Sequence, residues 1–297
     1  MNDIPGMKVA TVHNHRPEFV REGELTKEFG VVEKPLTIFE RLYNNGFLRK
    51  VAILLIIGAI WEWYARHLNN PLLVPTLSDT LQAFWEAIAA GELPGRVATS
   101  VRLLLQGYGT GLLLAFVFTT LAITTRLGND LLELLTSMFN PLPAIALLPL
   151  ALIWFGLGDK SIIFVVVHSV LWAVALNTHS GFRSVSNTMR MVGRNYGLGG
   201  LRLVFKVLIP AAFPSILTGL KIGWAFAWRT LIAAELVYGA ASGKGGLGWF
   251  IYEAKNQLEI PAVFAGLFAV ILIGLFIENV VFRFIEGRTI RKWGMQN

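Results

Sequence analysis

The chain has no cysteine among its 297 residues, so disulfide bonds and thiolate metal sites are excluded. Charged residues are scarce at 15%, whereas hydrophobic residues make up 54% and the mean hydropathy is +0.57. A soluble domain of this length would not stay in solution with that composition, and we therefore predict a membrane protein. The net charge of +7 is then evidence about membrane topology, and nucleic acid is not an expected partner.

Sequence motifs for catalysis and nucleotide binding are missing too. The Gly243-Lys244 pair is followed by glycine, where a phosphate-binding loop needs Ser or Thr. Gly243, Gly245 and Gly248 match a dinucleotide-binding pattern, but a membrane helix precedes them where that pattern needs a strand. The sequence also has no metal-ligand or hydrolase motif. We therefore expect no enzyme, no metal and no cofactor in this chain, and an energy source in a partner or an ion gradient.

Apolar runs predict six membrane-spanning helices in a transmembrane domain at residues 47–290, and hence an all-α fold. The segment after the first run is too short and polar to cross, and it predicts an interfacial helix capped by Thr76 or Ser78. In the second run, Gly107 and Gly111 have the spacing that permits close helix contact. The spans are predicted at 47–68, 100–124, 131–155, 161–179, 211–237 and 261–284.

The third span contains three prolines. Proline removes a backbone donor, and its ring clashes with the preceding turn of a helix. Such a helix is tolerated in a membrane bundle where neighbours or a water-lined cavity satisfy the freed carbonyl groups. We therefore expect a broken third span that lines a cavity, with Pro141, Pro143 and Pro149 at the breaks.

Cations indicate which ends of the spans face the cytoplasm. Six spans put both termini on one side, and a cytoplasmic location for them places eighteen Lys and Arg residues inside against five or six outside. Residues 1–46 and 291–297 are then cytoplasmic tails, and the polar first tail shows no signal peptide. The segment that joins the fourth and fifth spans is cytoplasmic as well.

That joining segment is strongly basic, with five cations and no acid between Gly181 and Pro210. Its apolar residues recur at helical spacing and predict two short amphipathic helices. A glycine-rich turn from Gly197 separates them, Ser184 or Ser186 caps the first, and Pro210 closes the second. An ordinary loop whose cations contact lipid headgroups would explain the charge alone. The periodic residues are Met189, Val192 and Tyr196, then Leu201, Val204 and Leu208.

The spacing in this segment resembles the coupling loop of ABC-importer permeases, which reads Glu-Ala-Ala, three residues, Gly, nine residues and Ile-x-Leu-Pro. The matching positions here are Gly197, Val207, Ile209 and Pro210. Met191, Val192 and Gly193 stand where that loop begins, so its acidic start is missing. The resemblance implies a coupling loop at 184–210. The residues it assigns to ATPase contact are Met191, Val192, Gly193, Arg194, Gly197, Val207 and Pro210.

Further strings over residues 70–290 are similar to the nitrate, sulfonate and taurine branch of these permeases. They include Pro141-x-Pro143, Leu147-Leu148-Pro149, Trp154-Phe155-Gly156-x-Gly158, Ala233-Ala234-Glu235 and Gly245-Gly246-Leu247-Gly248. The resemblance implies the permease of a type I importer in a bacterial inner membrane, working as a homodimer in contact with lipid. It also implies two ATPase subunits that bind ATP and magnesium, a periplasmic solute-binding protein, and a small anionic solute such as a sulfonate, taurine or nitrate.

Polar residues within the spans are candidates for a translocation path, because ionised groups in hydrocarbon are costly. Arg229, near the middle of the fifth span, is expected to attract an anion or to pair with Glu235. Lys221 and Glu278 are expected to form an ion pair or to reach the interface. His168 and Asn177, on the fourth span, are expected either to face the path or to pack against neighbouring helices. The candidate path residues are Pro141, Pro143, Pro149, His168, Asn177, Arg229 and Glu235.

Two other functions compete with import by an ABC system. A gradient-driven secondary transporter would need inverted repeats and ion-binding carboxylates near mid-membrane, and the sequence shows neither. A membrane enzyme or scaffold is the third interpretation, and the sequence shows no catalytic constellation for it.

Overall fold

The computed structural model describes residues 44–242 and 245–290, without the side chains of 239–242. Every regular element in these ranges is helical, as predicted. Residues 1–43 and 291–297, which make up nearly all of the two predicted tails, lie outside the described residues, as does Gly243-Lys244. The chain divides into two compact units, Met1–Leu55 and Ile56–Asn297. Apart from the first turns of helix α1, everything below belongs to the second unit.

Two helices precede the main bundle. Helix α1, Gly46–Leu68, covers the first predicted span, and helix α2, Leu77–Ala89, is the predicted interfacial helix. The cap of α2 is Thr76, whose side-chain oxygen accepts a hydrogen bond from the backbone N–H of Asp79 at 3.0 Å. This bond satisfies one of the unpaired donors at the start of the helix, as the sequence predicted.

Three long helices form the centre of the second unit: α3, Glu92–Thr124, α6, Asp159–Ser184, and α9, Ile209–Ser242. Helix α6 packs most extensively against the other two. A side-chain carbon added at Gly107 would lie 2.5 Å from Val166, and one added at Gly111 would lie 2.8 Å from Val170. The predicted close contact at these glycines is therefore present, because only hydrogen fits between the helices.

The third predicted span is broken, as expected. Helix α4, Arg126–Phe139, is followed by a turn, a 3₁₀ turn at Ala144–Leu147 and helix α5, Leu148–Phe155. The two halves meet at an angle of 90°. Pro141 and Pro143 lie in the turn between them, where their missing N–H groups remove donors that a continuous helix would need.

The basic segment contains helix α7, Asn187–Asn195, and then helix α8, Gly200–Leu203. The prediction that Pro210 closes this segment is wrong. Helix α8 passes through a wide π turn, Val204–Leu208, directly into α9, so that one continuous helix runs from Gly200. A proline ring normally clashes with the carbonyl four residues earlier, and the widened turn ahead of Pro210 gives it room.

The C-terminal part of the described chain begins with helix α10, Leu247–Asn256, which the sequence did not predict. Helix α11, Ile260–Phe276, follows and continues through a π turn, Ile277–Phe282, into α12, Arg283–Arg288. Helix α11, the π turn and helix α12 together cover the sixth predicted span.

Four stretches of described helix are long and apolar enough to cross a membrane. They are Glu92–Thr124, Asp159–Ser184, Gly200–Tyr238 and Ile260–Arg288. The bent pair of α4 with Ala144–Phe155 makes up to a fifth span. Helix α1 has the predicted position and length but is not among these stretches, so the count of six stays a prediction.

Candidate functional site

A cavity of about 380 Å³ lies at the bend after α4, where the turn faces the middle of α6 and α9. The turn contributes Pro141 and Pro143, α6 contributes His168 and Trp172, and α9 contributes Arg229. The remaining lining residues are Phe139, Asn140, Leu142, Ala144, Ile145, Ser169, Phe226, Thr230 and Ala233. The broken span therefore lines a cavity because its prolines turn the chain away from the bundle at this point.

Among the polar side chains of the cavity, Arg229, His168 and the indole N–H of Trp172 have no hydrogen-bond or ion-pair partner in the part of the chain that the structure describes. Arg229 is exposed and forms no ion pair with any residue that the structure describes, although its guanidinium lies 6.0 Å from the ring centre of Phe226. Both ring nitrogens of His168 are enclosed, and neither has a hydrogen-bond partner in the described chain. Arg229 is therefore open to a ligand, whereas the enclosed nitrogens of His168 are groups that are normally hydrogen-bonded.

Aromatic rings form one part of the cavity wall. The rings of Phe139 and Trp172 are stacked, with centres 5.4 Å apart and planes inclined by 13°. The His168 ring meets both of them edge to face, at 6.1 Å from each. The cavity thus combines one cation and one imidazole with aromatic rings, prolines and aliphatic side chains.

The structure brings four of the seven candidate path residues together in this cavity: Pro141, Pro143, His168 and Arg229. The other three lie elsewhere. Pro149 is exposed in the first turn of α5, and the side-chain amide of Asn177 donates to the carbonyl of Ala173 at 2.7 Å. Glu235 is completely buried.

Glu235 joins three helices and does not pair with Arg229 within the chain. Its carboxylate accepts hydrogen bonds from the hydroxyl of Ser100 at 2.8 Å and from the backbone N–H of Gly248 at 2.9 Å. The same Ser100 oxygen accepts from the N–H of Leu247 at 2.8 Å. The start of α10 is thus capped by side chains from α3 and α9, a role for Ser100 that no sequence pattern indicated.

A second cavity of about 200 Å³ lies on the other side of Arg229, which lines both. It also holds Lys221 and Glu278, but these two do not form the expected ion pair. The ammonium group of Lys221 binds the carboxylate of Glu286 at 2.7 Å instead. Glu278 lies within the π turn Ile277–Phe282, and the wider winding of this turn changes the face on which the later acid, Glu286, emerges.

Helix α7 ends in a glycine-dependent cap. The N–H of Leu198 donates to the carbonyl of Gly193 at 3.0 Å, and the N–H of Gly197 donates to that of Arg194 at 2.9 Å. These two bonds are the Schellman arrangement, and they require the left-handed φ of +74° that Gly197 adopts. At the other end, the Ser186 hydroxyl caps the helix by accepting from the N–H of Met189 at 3.3 Å.

Helix α7 is fixed to both of the long helices that flank it. The guanidinium of Arg190 donates to the backbone carbonyls of Phe182 and Val185 at the end of α6. A side-chain carbon at Gly193 would lie 2.8 Å from Leu203 and 3.1 Å from Val207, so the helix also packs closely on the segment that leads into α9. A displacement of α7 would therefore be transmitted to α6 and α9 together.

The decisive comparison is with a family of transport proteins. Residues 107–290, more than half of the chain, match the family described as binding-protein-dependent transport system inner membrane component. The chain belongs to this family. The predicted identity as an ABC-transporter permease is confirmed, and the chain is a membrane protein.

Relatives of the permease extend the comparison over most of its length. It is 30% identical over 252 residues to a putative ABC transporter permease protein of Methanocaldococcus jannaschii, covering 84% of this chain and 93% of the relative. It is 31% identical over 224 residues to a putative aliphatic sulfonates transport permease protein of Escherichia coli, covering 73% and 82%. It is 26% identical over 253 residues to a nitrate import permease protein of Synechocystis, covering 83% and 90%.

The permease exposes most of the residues that its resemblance assigns to ATPase contact. Met191 is 57% exposed and Val192 is 49% exposed, and Arg194, Gly197 and Pro210 are exposed as well. Gly193 is buried, and Val207, a residue of the π turn, is half-buried against α7. Gly193 and Val207 therefore hold α7 in place. The exposed residues of the set are open to a partner protein.

Proposed function

We propose that the permease is the membrane subunit of an ATP-driven importer for a small anion such as a sulfonate, taurine or nitrate. Two copies would form the path, two ATP-binding subunits would contact the α7 segments from the cytoplasm, and a periplasmic binding protein would deliver the solute. The six spans with both termini inside, and a location in the inner membrane of a bacterium, belong to the same proposal. Relatives named for aliphatic sulfonate and nitrate transport support it.

One observation carries the proposal: α7 has an exposed apolar face although it is too short to span a membrane. Met189 is 48% exposed and Tyr196 is 82% exposed, next to Met191 and Val192. An apolar patch of this kind on a polar nine-residue helix is typical of a surface that a protein partner covers.

The geometry supports a mechanical role for this patch. ATP and magnesium would bind to the partner, and closure of two ATPases would move the surface against which α7 rests. Because α7 is bonded to the end of α6 and packed on the start of α9, it would carry both helices with it. The cavity between those helices then changes its accessibility, which is alternating access by rigid-body movement.

The apolar face of α7 can be tested by charge. Val192→Glu places an anion at the centre of the apolar face, between Met189 and Tyr196, and we expect it to lower the vanadate-sensitive ATPase activity that copurifies with the tagged permease about tenfold. The cause is the cost of burying an unpaired carboxylate in an apolar contact. Leu258→Glu makes the same change at a leucine that is 66% exposed between α10 and α11, and it should retain the activity.

Two results would contradict the importer. One is a wild-type permease that copurifies with no ATPase. The other is solute uptake that vanadate leaves intact and an uncoupler abolishes, which would identify a gradient-driven transporter instead.

A further inference from the structure

The cavity at the bend after α4 combines an available cation, an unpartnered imidazole and aromatic rings in its wall. We propose that it binds the flat ring of a monocyclic aromatic anion, a sulfonate or a carboxylate, with Arg229 against the charged group. This assignment rests on the proposed import function and deepens it by naming the class of solute.

The charge of the cavity selects an anion. None of the lining residues is Asp or Glu, and Arg229 is their one formal cation. Its planar guanidinium presents paired N–H donors that match the two oxygens of a carboxylate, and a sulfonate offers the same pair of acceptors. Because Arg229 also borders the second cavity, an anion held here would lie on a route between the two spaces.

The aromatic residues of the lining favour an anion with an apolar body over a bare anion such as nitrate. Nitrate would satisfy Arg229 and leave the exposed ring of Phe226 and the part-exposed ring of Phe139 against water. An aromatic ring would cover these two rings and could take the offset or edge-to-face arrangement that aromatic pairs prefer. The observed Phe139–Trp172 stack at 5.4 Å already shows that geometry within the lining.

Size and the imidazole refine the assignment. A volume of about 380 Å³ is near the lower end of the roughly 300–1,000 Å³ typical of small-molecule sites, which favours one ring over a fused system. Both unpartnered nitrogens of His168 are enclosed by the protein, so the imidazole contributes its ring to the wall and would reach a polar substituent of the solute only after its side chain rotates.

Equilibrium dialysis of the detergent-purified permease with radiolabelled benzenesulfonate, butanesulfonate and nitrate tests the proposal. We expect benzenesulfonate to bind about tenfold more tightly than butanesulfonate, and nitrate to bind most weakly. Phe226→Leu should remove the preference for the aromatic sulfonate, and because Phe226 is 43% exposed the fold should tolerate it. Arg229→Gln should weaken the binding of both sulfonates about tenfold or more.

Arg202→Gln is the matched control, since Arg202 is an exposed cation of α8 outside the lining. It should bind benzenesulfonate like the wild type, and size-exclusion chromatography checks the folding of every variant. If Arg229→Gln aggregates, Arg229→Lys replaces it. This variant should bind benzenesulfonate more weakly than the wild type, because lysine keeps the charge but lacks the paired N–H donors of the guanidinium. Absence of benzenesulfonate binding, equal binding of the two sulfonates, or wild-type binding by the Arg229 variant would overturn the assignment.

The ATPase activity that copurifies is measured on the same preparations. Benzenesulfonate binding by a permease without ATPase would contradict the importer and leave the cavity assignment in place. An ATPase that copurifies with a permease showing no benzenesulfonate binding would contradict the cavity assignment alone.

Discussion

At the scale of single residues, Glu235 and Arg229 lie on the same helix but in opposite environments. Glu235 is 0% exposed, and its hydrogen-bond donors, Ser100 and Gly248, carry no formal charge. Burial of a carboxylate is costly unless its oxygens are bonded, and here the start of α10 supplies both an N–H group and the positive end of a helix. Glu235 therefore ties three helices together, which leaves Arg229 available for solute.

Removal of this carboxylate should destabilise the permease. Glu235→Ala leaves the N–H of Gly248 and the hydroxyl of Ser100 without an acceptor in the interior, at a cost of about 2–3 kcal/mol. Glu235→Gln retains one acceptor oxygen and should cost less. Thermal unfolding of the purified permease in detergent measures both effects.

Glu92→Gln is the control for that series, because Glu92 forms an ion pair with Arg96 at 3.3 Å and is 47% exposed. Exposed pairs contribute little, so its unfolding temperature should stay close to that of the wild type. Equal unfolding temperatures for Glu235→Ala and Glu92→Gln would show that the buried carboxylate does not hold α10.

The sequence predicted that charged residues of the fifth span have special roles, and it could not separate those roles. Hydropathy identifies a charged residue that is costly to place in hydrocarbon, but it does not show in which direction the side chain points. The partner of Glu235 is Ser100, which lies 135 positions away in the sequence. A distant hydroxyl leaves no local pattern, whereas the clustering of Pro141 and Pro143 is local and correctly predicted a break.

At the scale of elements, α7 is a short helix whose two ends and one face are all fixed. Ser186 caps its start, the Schellman turn at Gly197 closes its end, and Gly193 packs on the segment that enters α9. This arrangement keeps the helix rigid although nine residues alone would form an unstable helix in water. Rigidity is what a helix needs if it is to transmit a displacement.

Gly197→Asp should separate ATP hydrolysis from solute uptake. Gly197 has a φ of +74°, which an aspartate adopts only with strain, so the end of α7 should fray while the bundle and membrane insertion remain intact. We expect normal amounts of permease in the membrane, ATPase activity that solute no longer stimulates, and uptake reduced about tenfold or more. Immunoblotting, ATPase assays and uptake of labelled solute measure these three quantities.

Gly199→Asp is a closely matched control two residues away. Gly199 has a φ of −136°, caps the start of α8, and has open space where a side chain would be. Aspartate is favoured at such a cap, so this variant should couple hydrolysis to uptake normally. Normal coupling in Gly197→Asp, or equal loss in both variants, would contradict the role of the Schellman turn.

Two elements show what a sequence conceals at this scale. The π turn Val204–Leu208 carries α8 past Pro210 without a break, and nothing in its apolar sequence marks a change of helical period. Helix α10 has ten residues, and its fixed start depends on side chains from α3 and α9. The start of α10 depends on contacts between distant segments, whereas the Thr76 cap and the proline bend depend on neighbouring residues.

At the scale of the whole molecule, the exposed surface is unusually apolar. Helix α11 is almost entirely hydrophobic, yet only Ala265, Gly266 and Ala269 of its residues are buried. Its larger side chains, such as Ile271 and Leu275, point away from the bundle and are 56% and 50% exposed. Water would not tolerate such a surface, but lipid or a second permease copy would cover it.

The proposed topology places α7 and the loop after α10 on opposite sides of the membrane, and the absence of cysteine makes this directly testable. Tyr196→Cys and Lys255→Cys each introduce one thiol at an exposed position. We expect a membrane-impermeant maleimide to label Lys255→Cys in spheroplasts and Tyr196→Cys only in inside-out vesicles, because eighteen cations on the α7 side hold it in the cytoplasm. Labelling of Tyr196→Cys in intact spheroplasts would put α7 outside the cell, where no ATP-binding subunit can reach it.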